Sequence, residues 1–418
     1  MKDRGRTVGP ARGPLRGACE VPGDKSIAHR ALILGALAEG LFSVRGLPGG
    51  QDVASTRRCL HALGVVIDDH VNEVRIHGVG LEGLKRPSSV LDCGNSGSTM
   101  RFLMGVLSGH PFEATLTGDA SLSRRPMERV AAPLRDMGAD ITTTDGHAPV
   151  RVHGRRPLKG IRYRLPVASA QVKTAVLLAG LFAEGETVVE DPFGTRDHTE
   201  RMLAFLGRPG ALRTDKALTV PGDPSSAAFL VAAAAVVPGS SVTVRRVLLN
   251  EGRTGFFEVL REMGGAVAWE RGGQHGRETV GDVTAGFSTL KPVRLDAGRV
   301  PAMVDEIPLL AVLCAQADGE SRLEGLSELR VKESDRLEGT AAALRALGAE
   351  ARAEGDALVV KGPAKLRAGR VETLGDHRLA MAFTVAAMAG GGPVELSDAA
   401  CAAVSYRSFF DDLKRLGA

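Results

Sequence analysis

The sequence predicts an α/β (α+β) fold built as two halves of three repeat units each. Three features carry that prediction. An amphipathic helix closed by an apolar residue and glycine recurs six times, in STRRCLHALG to Gly64, MERVAAPLRDMG to Gly138, TERMLAFLG to Gly207, GFFEVLREMG to Gly264, EGTAAALRALG to Gly348 and FFDDLKRLG to Gly417. The apolar residues fall three and four apart, which is helical spacing, and glycine is the expected C-terminal cap. A second, almost wholly apolar helix interleaves with the first, opening from a polar turn near Asp24, Gly94, Ser169, Pro224, Val304 and Gly375. A helix apolar on every side has to be buried, whereas the glycine-closed set is half exposed. Between the helices lie alternating or β-branched runs such as VVIDD, EVRIHG, SVTVRRV and ALVVKG, which read as strands.

The six openings are 70, 75, 55, 80 and 71 residues apart. The short step marks a defect. After Gly207 only RPGALRTDKALTV precedes the next unit, so the third unit is expected to lack the strand–turn–strand stretch of the first. PGDKS at Pro22–Ser26 is echoed by PGDPS at Pro221–Ser225, two Pro-Gly turns at corresponding places. The halves are therefore placed at 23–221 and at 1–22 plus 222–418, joined by a hinge, with the N-terminal strand returning to the second half.

Composition excludes several classes of function. Against 49 Asp plus Glu stand 53 Lys plus Arg, a formal charge of +4 that is nearly neutral over 418 residues. Global attraction to nucleic acid is not indicated. Aromatic residues make up only 4% of the chain, too few for base-stacking platforms. The longest apolar runs, Ala175–Ala183 and Ala227–Val237, are about half of the ~20 residues a membrane span needs. The first 17 residues carry Lys2, Arg4, Arg6, Arg12 and Arg16 without an apolar stretch, so no secretory signal is expected. Cys19, Cys59, Cys93, Cys314 and Cys401 are scattered and never in CxxC spacing. Neither a disulfide framework nor a structural zinc is expected, and the expected compartment is the reducing cytoplasm.

Chemistry should concentrate where the buried helices open. A helix N-terminus presents unpaired N–H groups and partial positive charge, a ready anion site. Here the openings also carry Lys25 and Arg30, Arg101, Lys173 and Arg378, and Ser26 shares a face with Arg30 four residues on. For one isolated helix, polar residues at the start are more often simple caps. Repetition of a base at the same relative place makes that account less persuasive. GDASLSRRP holds Arg124 and Arg125 in a loop that reads equally as a solvated basic turn. RVKESDRL puts Lys332 and Arg336 on one helical face with Glu333 beside them, the pattern also of an exposed salt-bridged face. Asp305 and Glu306 precede an apolar helix, where acids commonly cap. His29, His198 and His377 are ambiguous between core and site, and no HExxH or paired spacing points to a metal. There is no G-x-x-x-x-G-K-[ST] loop, no G-x-S-x-G elbow and no strand followed by G-x-G-x-x-G. The residues alone thus lead to a metal-free, cationic site for a small polyanion.

VPGDKSIAHRALILGALAEG, GNSGSTMRFL, GDASLSRRPM, SAQVKTAVLLAGL, VDEIPLLAV, RVKESDRL and GDHRLAMA occur in this order. With these seven motifs the chain resembles the 5-enolpyruvylshikimate-3-phosphate synthases from about Leu15 to the C-terminus. The resemblance implies the two-domain enolpyruvyl transferase fold, each domain three βαβαββ units around buried parallel helices, with the active site in the interdomain cleft. It implies transfer of the enolpyruvyl group of phosphoenolpyruvate to the 5-hydroxyl of shikimate 3-phosphate with release of phosphate, a step towards chorismate and the aromatic amino acids. No cofactor or metal is implied. Nor is a nucleic-acid or membrane partner, and a monomer is expected.

Residue by residue, the resemblance assigns Lys25, Ser26, Arg30, Ser169, Ala170, Gln171, Arg196, Asp305 and Lys332 to shikimate 3-phosphate. It assigns Lys25, Gly97, Arg125, Gln171, Arg336 and Arg378 to phosphoenolpyruvate, and Asp305, Glu333 and Lys25 to catalysis. Departures from the best-known members point to a divergent bacterial subgroup. The C-terminal AAVSYRSFF has Val404 and Arg407 but not the Lys found before an aromatic–Pro pair, Glu328 stands in place of an Asn, and Ala170 replaces a second Ser. The nearest rival implied is the sister enzyme acting on UDP-N-acetylglucosamine, which typically has a reactive Cys in the loop that here reads GDASLSRRP. A non-catalytic ligand-binding relative is the other, disfavoured by intact Lys25, Asp305, Lys332 and Glu333.

Overall fold

The computed structural model describes residues 5–207, 212–213 and 216–418. The chain forms two compact units. The first lobe is Gly23–Pro221 with Gln274–Glu278, and the second is Met1–Pro22, Gly222–Gly273 and Thr279–Ala418. The first lobe contains α1 (Lys25–Leu37), α2 (Gln51–Ala62), α3 (Gly97–Ser108), α4 (Glu128–Asp136), α5 (Ala170–Gly180) and α6 (His198–Leu206). The second contains α7 (Pro224–Val236), α8 (Gly255–Glu262), α9 (Ile307–Gln316), α10 (Arg336–Ala346), α11 (His377–Ala389) and α12 (Phe409–Leu416).

The odd-numbered helices are the apolar set and the even-numbered ones the glycine-closed set. Every residue of α7 is buried, as is nearly all of α1, α3, α9 and α11. Caps fix where most of the buried helices begin. Asp24, Ser96, Ser169, Asp223 and Asp376 each accept a backbone N–H from the first turn of α1, α3, α5, α7 and α11. Only α9 breaks the pattern, since Glu306 at its cap position makes no such bond. At the other end of the even helices, Gly64, Gly138, Gly207, Gly264, Gly348 and Gly417 all have positive φ, a conformation side chains disfavour.

Small sheets clothe these helices. In the first lobe one runs in the order Ala217–Thr219, Glu39–Arg45, Val74–Val79, Val66–Asp69, and another in the order Leu91–Asp92, Glu113–Thr117, His147–His153, Asp140–Thr144. Each combines a hairpin with a parallel outer pair. In the second lobe, the ends of the first two strands at Gln274–Glu278 excepted, the corresponding orders are Ala266–His275, Glu278–Gly286, Ser241–Leu248, Arg16–Glu20 and Arg294–Leu295, Gly319–Leu323, Ala357–Gly362, Glu350–Glu354. Arg16–Glu20 pairs parallel with Ser241–Arg245, and Arg6–Val8 pairs antiparallel with Val394–Leu396. The stretch expected to lack a hairpin includes residues 208–211 and 214–215, which lie outside the described residues. On its described part, Ala217–Thr219 forms one parallel strand against Ser43–Arg45. No helix among the described residues is long and apolar enough to cross a membrane.

Aliphatic and small side chains let the buried helices approach closely. A Cβ on Gly105 of α3 would lie 2.3 Å from the carbonyl oxygen of Ala175 on α5, so only glycine fits there. His29 shows what such packing does to a polar residue. It is fully buried on α1, with Nδ1 2.7 Å from the Thr56 hydroxyl and its ring edge-on to Phe102. Burial drives its pKa from 6.5 down to about 3, so His29 is a neutral core histidine.

A pH dependence follows. The unfolded chain takes up this proton below pH 6.5 while the folded protein refuses it, so the contribution of His29 to stability is complete above 6.5 and drains away towards pH 3. From pH 7 to 4.5, wild-type stability is expected to fall by about 2 kcal/mol more than that of His29→Gln, which keeps a polar partner for Thr56. Urea midpoints at the two pH values check this, and parallel curves would contradict it.

Candidate active site

In the first lobe, polar side chains tie together the N-terminal ends of α1, α3, α5 and α6. Arg30 is buried one turn into α1. Its Nη1 donates to the Ser26 carbonyl at 2.8 Å, its Nη2 to Thr174 Oγ1 on α5 at 2.7 Å, and its Nε to Thr199 Oγ1 on α6 at 2.8 Å. Burial lowers the Arg30 pKa to about 10, with Glu200 the largest opposing influence, and the group stays a cation at neutral pH. At the mouth of α1, Lys25 Nζ is 2.9 Å from Asp52 Oδ2. A chain of hydroxyls from Thr56 through Thr99 to Ser96, each 2.7 Å from the next, links α2 to the start of α3.

Gly97 opens α3 beneath two guanidinium groups. A Cβ there would lie 2.6 Å from Arg101 Nη1 and 3.5 Å from Arg125 Nη1. Arg101 donates to Gln171 Oε1 at 2.6 Å, and Gln171 Nε2 reaches Ser98 Oγ at 2.9 Å. Arg125 is buried and anchored by the Asn95 carbonyl at 3.2 Å and by Ser121 Oγ at 3.2 Å, whereas Arg124 is exposed. Of the two arginines of the GDASLSRRP loop, one is therefore buried and anchored and the other solvated. Ser169 caps α5, with Ala170 and Gln171 in its first turn. Arg196 precedes α6 and acts electrostatically on Arg30.

Lys173 departs from the pattern expected of helix-opening cations. Its Nζ is 3.0 Å from Asp191 and 3.0 Å from Glu200, and it also donates to the Thr195 carbonyl. Two carboxylates absorb its charge, so it braces α5 against the segment before α6.

In the second lobe the centre is Arg336, fully buried at the first position of α10. Its Nε is 2.8 Å from Asp376 Oδ2, its Nη2 2.5 Å from Glu333 Oε2, and its Nη1 3.3 Å from Asp305 Oδ1. Burial alone would weaken this cation. Asp376, Glu333 and Asp305 more than reverse that and hold its pKa well above the ordinary arginine value. Asp376 does double duty, since its other oxygen caps α11 through Arg378 N at 2.9 Å.

The expectation that Lys332 and Arg336 share a helical face is not met. Ser327–Val331 is a 3-10 turn, Lys332 lies in extended backbone, and Asp335 accepts from Glu338 N at 3.0 Å, which makes Arg336 the start of the helix. Lys332 therefore meets Asp305 from a loop. Its pKa is lowered chiefly by burial, against the opposing charge of Asp305. Asp305 itself sits in a 3-10 turn before α9 and turns towards Arg336 without capping the helix. Arg378 is buried on α11, and its Nε and Nη1 have no hydrogen-bonding partner among the described residues. Such a guanidinium is two donors short of satisfaction and suits an incoming carboxylate or phosphate.

The structure thus brings Lys25, Ser26, Arg30, Gly97, Arg125, Ser169, Ala170, Gln171 and Arg196 to helix openings of the first lobe. It gathers Asp305, Lys332, Glu333, Arg336 and Arg378 around α9, α10 and α11 of the second. Residues not singled out from sequence are the ones that aim these groups: Asp52, Thr174, Thr199 and Asp376. Asp376 had a visible signal, an acid immediately before the apolar run of GDHRLAMA. Thr174 and Thr199 had none, being ordinary threonines inside helical patterns.

Among the described residues, buried and glycine-capped helices alternate in a fold shared with solved enolpyruvyl transferases. The EPSP synthase (3-phosphoshikimate 1-carboxyvinyltransferase) profile matches residues 10–413, and the chain belongs to that family of transferases. It is 48% identical over 408 residues to the 3-phosphoshikimate 1-carboxyvinyltransferase of Acidithiobacillus ferrooxidans, covering 94% of each chain. Among solved structures it is similar to the EPSP synthase of Acinetobacter baumannii, at 41% identity and a TM-score of 0.87 over 99% of this chain and 98% of that one. The enolpyruvyl transferase NikO of Streptomyces tendae shares the fold, with a TM-score of 0.79 at 20% identity over 100% and 98% of the two chains.

Proposed function

We propose that this chain transfers the enolpyruvyl group of phosphoenolpyruvate to the 5-hydroxyl of shikimate 3-phosphate. The observation that carries it is the Arg336 network, in which one buried cation holds Asp305 and Glu333 while Lys332 lies within reach of the Asp305 charge. Two carboxylates and an amine of lowered pKa are what an addition–elimination needs.

Lys25, Ser26, Arg30, Ser169, Ala170, Gln171, Arg196, Asp305 and Lys332 hold shikimate 3-phosphate, and Lys25, Gly97, Arg125, Gln171, Arg336 and Arg378 hold phosphoenolpyruvate. Several fixed cations offset the repulsion between two anionic substrates and bring them into contact. Asp305, assisted by Lys332, takes the proton of the 5-hydroxyl as its oxygen bonds to C2 of phosphoenolpyruvate. Glu333 and Lys25 deliver a proton to the methylene carbon, giving a tetrahedral intermediate with a methyl group. Loss of a methyl proton and cleavage of the C2–O bond to phosphate then restore the double bond. The carbon gains one proton and loses one, and the proton taken from the 5-hydroxyl leaves with the phosphate, so the step balances. Action as a monomer in the cytoplasm, without nucleic acid, belongs to the same proposal, and the five free cysteines support a reducing compartment.

Phosphate release tests the assignment. It is expected with both substrates and should vanish when either is omitted or when UDP-N-acetylglucosamine replaces shikimate 3-phosphate. Release with the UDP-sugar alone as acceptor would overturn it. A second expectation concerns Gly97. In Gly97→Ala the new methyl must displace Arg101, which is held by Gln171, or crowd Arg125. The KM for phosphoenolpyruvate should rise about tenfold, the cost of roughly one lost charge-assisted bond, with little change for shikimate 3-phosphate. Equal shifts in both constants would contradict that placement.

A further inference from the structure

Thr199 accepts the Nε proton of Arg30, and Thr174 and Thr199 hydroxyls lie 2.7 Å apart, so the plane of the guanidinium is set by two threonines. Thr174 lies inside α5, a rigid place. Thr199 is the second residue of α6, so its position depends on how the first turn of that helix is held. That turn lacks the ordinary device. Asp197 occupies the cap position without a side-chain capping bond and is instead paired with Arg201 at 2.8 Å.

The segment Gln274–Glu278, distant in sequence, holds the turn. Glu278 Oε1 is 2.8 Å from His198 Nδ1, with both side chains buried, and Arg201 Nη1 donates to the Arg277 carbonyl at 3.1 Å. Glu278 also counts among the charges that favour the cationic form of buried Arg30. Asp197, His198 and Glu278 could between them offer three metal ligands. Arg201, 2.8 Å from Asp197 and 3.8 Å from Glu278, already supplies the cation there, which favours a relay of side chains over an ion.

We infer that Glu278 is a positioning residue for shikimate 3-phosphate, fixing the orientation of Arg30 through His198 and Thr199. This rests on the substrate assignment above. Glu278 touches no substrate; it determines where the Thr199 hydroxyl stands and hence where Arg30 points.

Steady-state kinetics and calorimetric binding of shikimate 3-phosphate on the full chain test it. Glu278→Ala is expected to raise the KM and Kd for shikimate 3-phosphate about tenfold, the effect of one lost hydrogen bond, while the KM for phosphoenolpyruvate stays within about twofold. Glu278→Gln, which keeps an acceptor for His198, should recover most of the loss. Thr199→Val should reproduce the defect and Thr199→Ser relieve it. If Glu278→Ala does not fold, Glu278→Asp, whose carboxylate is withdrawn by one methylene, should show the same selective rise. Unchanged shikimate 3-phosphate constants in the folded variants, or a loss of kcat with both KM values moving together, would overturn the relay. Wild-type turnover is measured first: its absence would refute the substrate assignment, whereas wild-type turnover with unaltered variants refutes this inference alone.

Discussion

Asp305→Asn is expected to lower kcat about 10³-fold while leaving the dissociation constants of both substrates within about threefold. The reason is local. Asp305 neither caps α9 nor fills the core; it stands in a 3-10 turn with about a fifth of its side chain exposed and one oxygen 3.3 Å from Arg336. An amide fits the same space and still accepts from Arg336, so folding and binding should survive. What the amide cannot do is take a proton from a hydroxyl. Quenched single turnovers, with binding measured separately, check the split, and a kcat within tenfold of wild type would remove Asp305 from the chemistry.

Arg336→Met should do broader damage. The side chain is buried among Asp376, Glu333 and Asp305, and removing it leaves those carboxylates with like-charge neighbours and no central cation. Breaking a buried network of this kind costs about 3–5 kcal/mol, and turnover should be lost along with it. The pH response gives the cause away. Without the arginine the three carboxylates repel one another, and acid relieves that repulsion, so the variant gains stability relative to wild type as pH falls. Urea denaturation at pH 7 and pH 5 should therefore show a narrowing gap. A gap constant with pH would mean that the lost stability came from packing.

The repeat was legible because it is written in periodicity. Six glycine-closed helices and six apolar ones follow from spacing and from residues with one dominant conformational use, and all six capping glycines do take positive φ. The cations were legible too, because a base at the start of a buried helix contradicts the usual preference for acids. Side-chain partnership was not. Lys173 carries the same signal as Arg30, yet Asp191 and Glu200 neutralise it. Lys332 and Arg336 have helical spacing, yet the cap at Asp335 starts the helix after the lysine. Glu278 lies 80 residues from His198, a pairing that no local pattern announces.

The most direct measurement is the mass of the product formed in D₂O from phosphoenolpyruvate and shikimate 3-phosphate. Solvent protonation of the methylene carbon followed by loss of a methyl proton predicts an enolpyruvyl adduct carrying deuterium on its vinyl carbon. No adduct, or an adduct without deuterium, would contradict it.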